Sequence, residues 1–148
     1  QGAIGSTVVA MLARDHTGVV LWAGDSRLYR LRDANLDQIT RDHNPISDLL
    51  DSGAVSESEA LSTDTNVITR AVGGQNRLVL DVAVFDILPG DTYLLCSDGL
   101  YREIDPDQMC QELGNADVGA AVTGLMAGGL RGEARDNISM VVTRPHAD

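Results

Sequence analysis

An α+β fold on an antiparallel sheet is what this sequence predicts, on three observations. Strand-like segments outnumber helical ones, and short turn sequences rather than crossover helices join most of them. The third is size. The 148 residues, 43% hydrophobic and 22% charged, make a single domain, residues 1–148, whose core is large enough to fold without metal or disulfide staples.

The elements follow in order. Ser6 to Arg14 is a continuous apolar run rich in β-branched residues, and Thr17-Gly18 is the expected turn into a second strand, Val19 to Ala23. Gly24-Asp25 breaks that strand. Arg27 to Arg32 resumes with basic and apolar residues in alternation, which predicts one wet face. Asp33-Ala34-Asn35 then turns the chain into a short strand, Leu36 to Thr40. Asn44-Pro45 is an N-cap followed by a first-turn proline, with Ile46, Leu49 and Leu50 behind it and Gly53 as the stop, which spells a short helix. Ser56-Glu57-Ser58-Glu59 has the form of a capping box and opens a second helix toward Leu61, so residues 44–66 form a small helical insertion. Strand signals return at Val67-Ile68-Thr69 and from Leu78 to Ile87, and Pro89-Gly90-Asp91 predicts a hairpin into Thr92 to Cys96. Pro106 starts a helix to Leu113. Asp117 to Leu130 makes another, with Val118, Val122, Leu125 and Met126 at helical spacing and Gly128-Gly129 weakening its end. Ile138 to Val142 closes the chain as a strand.

Charge excludes several functions. With 11 Lys and Arg against 22 Asp and Glu the net charge is −11, no basic cluster interrupts it, and nucleic acid or an anionic membrane is disfavoured as a partner. Aromatic content of 3% removes stacking platforms for single-stranded bases. No apolar run approaches the ~20 residues of a membrane span, and no charged-then-apolar leader opens the chain, so a cytoplasmic location is expected. Cys96 and Cys110 have neither Cys-x-x-Cys spacing nor neighbouring histidines, which argues against a zinc knuckle or a disulfide framework.

Three acidic residues share one kind of position. Asp25 follows a strand in Gly-Asp-Ser, Asp98 follows one in Ser-Asp-Gly, and Asp136 precedes one in Arg-Asp-Asn. Each dipeptide alone reads equally as turn chemistry. Gathered at one end of a sheet, the carboxylates would repel unless a hard divalent cation such as magnesium or manganese compensated them.

Six segments in order carry a resemblance: Gly5-Ser6-Thr7-Val8-Val9-Ala10; Ala23-Gly24-Asp25-Ser26-Arg27-Leu28-Tyr29; Thr40-Arg41-Asp42-His43; Ile68-Thr69-Arg70-Ala71-Val72-Gly73; Gly90-Asp91 through Ser97-Asp98-Gly99-Leu100; and Arg135-Asp136-Asn137-Ile138. Across essentially its whole length the chain resembles the metal-dependent serine/threonine protein phosphatases of the PP2C type, and looks most like small bacterial single-domain members, including those encoded with type VI secretion systems. The resemblance implies an antiparallel β-sandwich flanked by helices, hydrolysing phosphoserine and phosphothreonine through a metal-activated water. It implies Mn²⁺ or Mg²⁺ as cofactor, two ions with a weaker third. By the match, Asp98 and Asp136 are ligands of the first metal, and Asp25 joins Asp98 at the third. Residues 44–66 match the family's flap. The implied partners are a phosphorylated protein substrate and a cognate serine/threonine kinase.

The chain also departs from the family. Members open with an Arg/Asn/Glu-Asp segment, then Asp-Gly-x-Gly-Gly, then two long helices, whereas here Gln1 stands only a few residues before the Gly-Ser-Thr strand. The expectation is therefore the C-terminal two-thirds of a catalytic domain, without the N-terminal motifs and inactive alone. A sheet face should be left bare, inviting self-association. The alternative is a non-catalytic PP2C-like regulatory or binding module.

Two rival chemistries are weighed against this. Cys96-Ser97-Asp98-Gly99-Leu100-Tyr101-Arg102 has the Cys-x-x-Gly-x-x-Arg spacing of cysteine-nucleophile phosphatases. Asp98 would repel both thiolate and substrate there, and Pro106 rather than Arg102 is the expected helix start, so a buried core cysteine is the preferred reading. His43, alone beside a helix N-cap, is read as a packing residue rather than a general acid. Arg27 and Arg135 are read as partners of nearby carboxylates.

Overall fold

The computed structural model describes residues 4–53, 67–74, 77–133 and 136–145. Its elements are β1 (Val8–Arg14), β2 (Thr17–Ala23), β3 (Arg27–Arg32), β4 (Asn35–Gln38), α1 (Pro45–Asp51), β5 (Asp81–Asp86), β6 (Thr92–Cys96), α2 (Asp98–Tyr101), α3 (Pro106–Leu113), α4 (Val118–Arg131) and β7 (Met140–Thr143). The strands form two antiparallel sheets, β1-β2-β5 and β4-β3-β6-β7.

Strand alternation builds two cores from one sequence. Leu28, Tyr93 and Leu95 pack between the sheets with Val20, Trp22, Phe85 and Ile87. Their neighbours Tyr29, Leu31, Leu94 and Cys96 belong to a second core, shared with Leu100, Ile104, Met109, Leu113 and Leu125 under α3 and α4. The helix starts are as expected. Asn44 Oδ1 accepts from the Ser47 N–H at 2.8 Å, Asp105 Oδ1 from Asp107 at 2.9 Å, and Asp117 Oδ1 from Ala120 at 2.6 Å.

Several expectations are corrected. The β1–β2 turn is Asp15-His16, and Gly18 lies within β2. A Cβ at Gly18 would stand 2.3 Å from the Phe85 ring on β5, so this glycine serves packing across the sheet. β3 has no wet face: Leu28, Tyr29 and Leu31 are buried, and the half-buried Arg27, Arg30 and Arg32 pair with Asp42, Asp37 and Asp91. Pro89-Gly90-Asp91 does not close a hairpin, because β5 pairs with β2 while β6 pairs with β3. The turn carries the chain from one sheet to the other. Asp91, fully buried, holds that corner by accepting from Arg32 at 2.7 Å, Tyr93 Oη at 2.7 Å and Leu88 N–H at 2.9 Å.

Gly128-Gly129 does not weaken α4 but lets it approach, since Cβ atoms there would meet Ile104 at 2.7 Å and Ile138 at 2.8 Å. Val67-Ile68-Thr69 is not a strand. Thr69 instead donates to the His43 carbonyl at 2.9 Å, and pairing is confined to a bridge between Ser6 and Val72. Leu78 to Leu80 lie ahead of β5 rather than in it. The second helix of the 44–66 insertion and Arg135 lie outside the described residues.

No helix among the described residues is long and apolar enough to cross a membrane. The outer face of β1-β2-β5 carries Leu12, Val82 and Val84, which are 59%, 56% and 68% exposed, and no described helix covers it.

Candidate active site at one end of the four-stranded sheet

Register places the three aspartates. β3 and β7 both run antiparallel to β6, with Arg27 and Met140 each opposite Cys96. Asp25 just before β3, Asp98 just after β6 and Asp136 just before β7 therefore converge at one end of the sheet. Asp25 sits on the corner where the chain leaves β2 for β3 in the other sheet. Gly24 makes that corner with φ of +111°, and a Cβ there would stand 2.4 Å from Thr7.

Asp98 opens the single turn α2, and Arg102 follows it by four residues. Arg102 Nε lies 3.4 Å from Asp98 Oδ2 and its Nη2 3.9 Å from Asp25 Oδ2. Gly99 packs against the next segment, where a Cβ would meet the Asn137 carbonyl at 2.4 Å and that of Asp136 at 3.3 Å. The Asp136 carboxylate accepts from the Asn137 N–H at 2.6 Å and is exposed. Asp25 and Asp98 are thus brought together. Asp136 is adjacent through its backbone, and among the described residues no group of three or more His, Cys, Asp or Glu side chains is close enough to hold a metal ion.

Burial first, and the Asp98 charge second, raise the Asp25 carboxyl above the usual carboxylate range. Arg102, 3.9 Å from Asp25 Oδ2, lowers that carboxyl by less than burial and Asp98 raise it. An all-oxygen, anionic set of this kind suits a hard divalent cation in chemistry, though it supplies only part of a six-coordinate shell.

The backbone around Asp25 is tied on both sides. The Tyr101 hydroxyl donates to the Asp25 carbonyl at 3.0 Å, and Arg27 lies 3.6 Å over the Tyr101 ring while donating twice to Asp42, at 2.9 and 2.7 Å. On the other side the His43 N–H donates to the Gly24 carbonyl at 2.9 Å, and the Gly24 N–H donates to His43 Nδ1 at 3.0 Å. His43 is buried, stacks on Trp22 at 6.0 Å between ring centroids, and has Nε2 3.0 Å from Asp81 Oδ2. The packing reading of His43 and the carboxylate-partner reading of Arg27 both fit this geometry.

Cys96 is buried in the helix-side core, and burial pushes its thiol up to about 12, far from a reactive thiolate. Arg102 turns toward Asp98 and Asp25, so the Cys-x-x-Gly-x-x-Arg spacing has no phosphate cradle behind it. From sequence Arg102 is weighed only as the arginine of the rejected cysteine-phosphatase loop, and Tyr101 is given no role. The Asp98–Arg102 spacing of four was the available signal, hidden because a single helical turn has no periodicity to detect.

No protein-family model matches the chain. It is 34% identical over 140 residues to the serine/threonine protein phosphatase PstP of Mycobacterium tuberculosis, which covers 94% of this chain and 27% of that protein. It is 35% identical over 107 residues to the serine/threonine phosphatase stp of Listeria monocytogenes, covering 72% and 42%. Among solved structures, PppA, a regulatory component of the type VI secretion system in Pseudomonas aeruginosa, is 44% identical with a TM-score of 0.81, over 94% of this chain and 57% of that one. The PstP catalytic domain in complex with two manganese ions is 33% identical with a TM-score of 0.79, over 93% and 57%. This chain belongs to the PP2C-type serine/threonine phosphatase family. It spans less than half the length of these curated relatives and just over half of the solved chains.

Proposed function

We propose that this chain forms the larger, C-terminal part of a catalytic domain that hydrolyses phosphoserine and phosphothreonine in proteins, in the cytoplasm, with Mn²⁺ or Mg²⁺ as cofactor. The observation that carries the proposal is the convergence of Asp25, Asp98 and Asp136 at one sheet end, with Asp25 and Asp98 close enough to share one arginine. Asp98 and Asp136 are assigned to one cation and Asp25 with Asp98 to a weaker one. Bound there, such cations neutralise phosphoryl charge and lower the pKa of water. The chain's own residues hold this geometry: Arg102 restrains the Asp25–Asp98 pair while no cation is there, and Tyr101 fixes the Asp25 carbonyl.

The remaining ligands and the phosphate-binding arginine are assigned to the Asp-Gly-x-Gly-Gly region that family members carry ahead of the Gly-Ser-Thr strand. The test measures p-nitrophenyl phosphate and phosphothreonine-peptide turnover by this chain, by the N-terminal segment of a solved relative, and by their mixture. Activity confined to the mixture, removed by chelator and by Asp136→Asn, is expected, because residues acting as one unit lose nearly all activity when one is removed. A folded mixture without turnover would favour a non-catalytic binding module.

A further inference from the structure

We infer that His43 is a positioning residue for the Asp25 carboxylate, acting through the lone pair on Nδ1. The inference rests on the assignment of Asp25 as a cation ligand and adds to it the group that aims that ligand.

The Gly24–Asp25 peptide has no strand partner to hold it, because it lies on the corner between two sheets. His43 supplies one. Its N–H and its Nδ1 bond to the carbonyl and the N–H of the same residue, Gly24, at 2.9 and 3.0 Å, the double contact that a neighbouring strand would otherwise provide. A backbone N–H can only donate, so Nδ1 must be the bare nitrogen and the ring proton must sit on Nε2. Asp81 Oδ2, 3.0 Å from Nε2, accepts that proton and thereby fixes the tautomer. Arg70 Nη1, 2.6 Å from Asp81 Oδ1, holds the carboxylate in turn, and the Trp22 ring, tilted by only 12° from the imidazole, sets the plane.

The consequence for Asp25 is geometric. Gly24 has φ of +111°, so its peptide plane is free to rotate in a way that an L-residue's is not, and Asp25 hangs from that plane. Tyr101 restrains the Asp25 carbonyl, on the far side of the residue, and the His43 backbone N–H holds the Gly24 carbonyl, which belongs to the peptide that bears Asp25. Nδ1 holds the other peptide of Gly24, the one shared with Ala23, so the two contacts together fix the Gly24 dihedrals that aim Asp25. Loss of a group that orients a cation ligand in this way commonly changes cation affinity by about 10–100-fold.

Two isosteres separate the lone pair from mere bulk. His43→Asn places an amide oxygen where Nδ1 stands and keeps the Gly24 contact while losing Asp81. His43→Gln places its amide near Nε2 and keeps Asp81 while losing the Gly24 contact. Mn²⁺ affinity of the full chain, read from paramagnetic broadening of amide resonances around Asp25 and Asp98, is compared for these variants, the parent and Asp25→Ala. The expected order is parent and His43→Asn within about threefold of each other, and His43→Gln weaker by about tenfold or more, with Asp25→Ala at least as weak. The Gly24 amide resonance should shift in His43→Gln and stay put in His43→Asn, with both variants folded. Loss of affinity in Asp25→Ala with no difference between the two His43 variants would overturn the positioning role. Unchanged affinity in Asp25→Ala would instead overturn the ligand assignment on which it rests.

Discussion

Asp25 and Asp98 meet on a single arginine: Arg102 Nη2 lies 3.9 Å from Asp25 Oδ2, and Arg102 Nε lies 3.4 Å from Asp98 Oδ2. One cation side chain between two carboxylates leaves net negative charge where the sheet ends, at a corner that buries Asp25. The fold carries this arrangement as a cost. A buried carboxylate facing another is a poor stability element and a good cation ligand.

The first prediction follows from that cost. Burial and Asp98 raise the Asp25 carboxyl, so its ionised form destabilises the metal-free fold at neutral pH and the penalty shrinks as pH falls. Asp25→Asn removes the charge and should raise the metal-free melting temperature at pH 7 by about 2–4 °C, the shift that 1 kcal/mol gives in a domain of this size. Calorimetric scans of the two proteins in chelator check it. A lower melting temperature in the variant would mean that Arg102 already compensates the pair.

Asp91 predicts the opposite sign. Burial alone would raise its carboxyl, but donation from Arg32, the Leu88 N–H and Tyr93 Oη outweighs burial and brings it down to about 2. A lowered folded value means stability present above the ordinary carboxylate range, near pH 4, and lost as pH falls toward 2. Acid denaturation followed by circular dichroism should show that loss, with a flatter acid limb in Asp91→Asn. The variant should also be less stable at pH 7 by on the order of 3 kcal/mol, because it breaks a buried charge pair from one side. An unchanged acid limb would show that another carboxylate governs it.

Cys96 should be chemically silent. With its thiol pushed up to about 12 in the helix-side core, it should resist thiol reagents in the native state and react after unfolding. In the complemented phosphatase, Cys96→Ser should leave turnover nearly unchanged while chelator abolishes it. If the serine variant loses activity and metal removal does not, a cysteine mechanism operates.

The bare sheet face gives a prediction about assembly. Leu12, Val84 and Val82 share the outer side of β1-β2-β5, where register sets Val19 opposite both Leu12 and Val84. The isolated chain should self-associate through this face at high concentration. Sedimentation velocity should show the average mass rising with concentration for the parent and a constant monomer for Leu12→Lys with Val84→Lys. A parent that stays monomeric into the millimolar range would contradict it.

Much of this was legible in the sequence, and the parts that were not share a cause. Strand ends place Asp25, Asp98 and Asp136, and alternation plus turn residues mark strand ends, so their convergence was predictable before any geometry. The Asn44 cap and the helix starts at Pro106 and Asp117 were readable because helix-start chemistry is local. Pro89-Gly90-Asp91 misled because turn chemistry is local while strand pairing is not. Whether the chain folds back or crosses to the other sheet is bound up with Arg32, 59 residues from the Asp91 it holds. Gly128-Gly129 misled likewise, since a glycine that admits Ile104 and Ile138 looks the same in sequence as one that ends a helix. His43 was visible as a packing residue, but its hold on Gly24 depends on a corner between sheets that no periodicity reveals.

The central claim is that Asp25, Asp98 and Asp136 are part of a cation site whose remaining ligands this chain does not supply. Calorimetric titration of the chain with Mn²⁺ tests it most directly, run beside Asp98→Ala. The account predicts weak binding, with a dissociation constant on the order of 10⁻⁴ M or weaker, and its loss in the variant, since Asp98 belongs to both assigned cations. Low-micromolar binding by the chain, lost in Asp98→Ala, would contradict it by showing that these carboxylates already form a complete site.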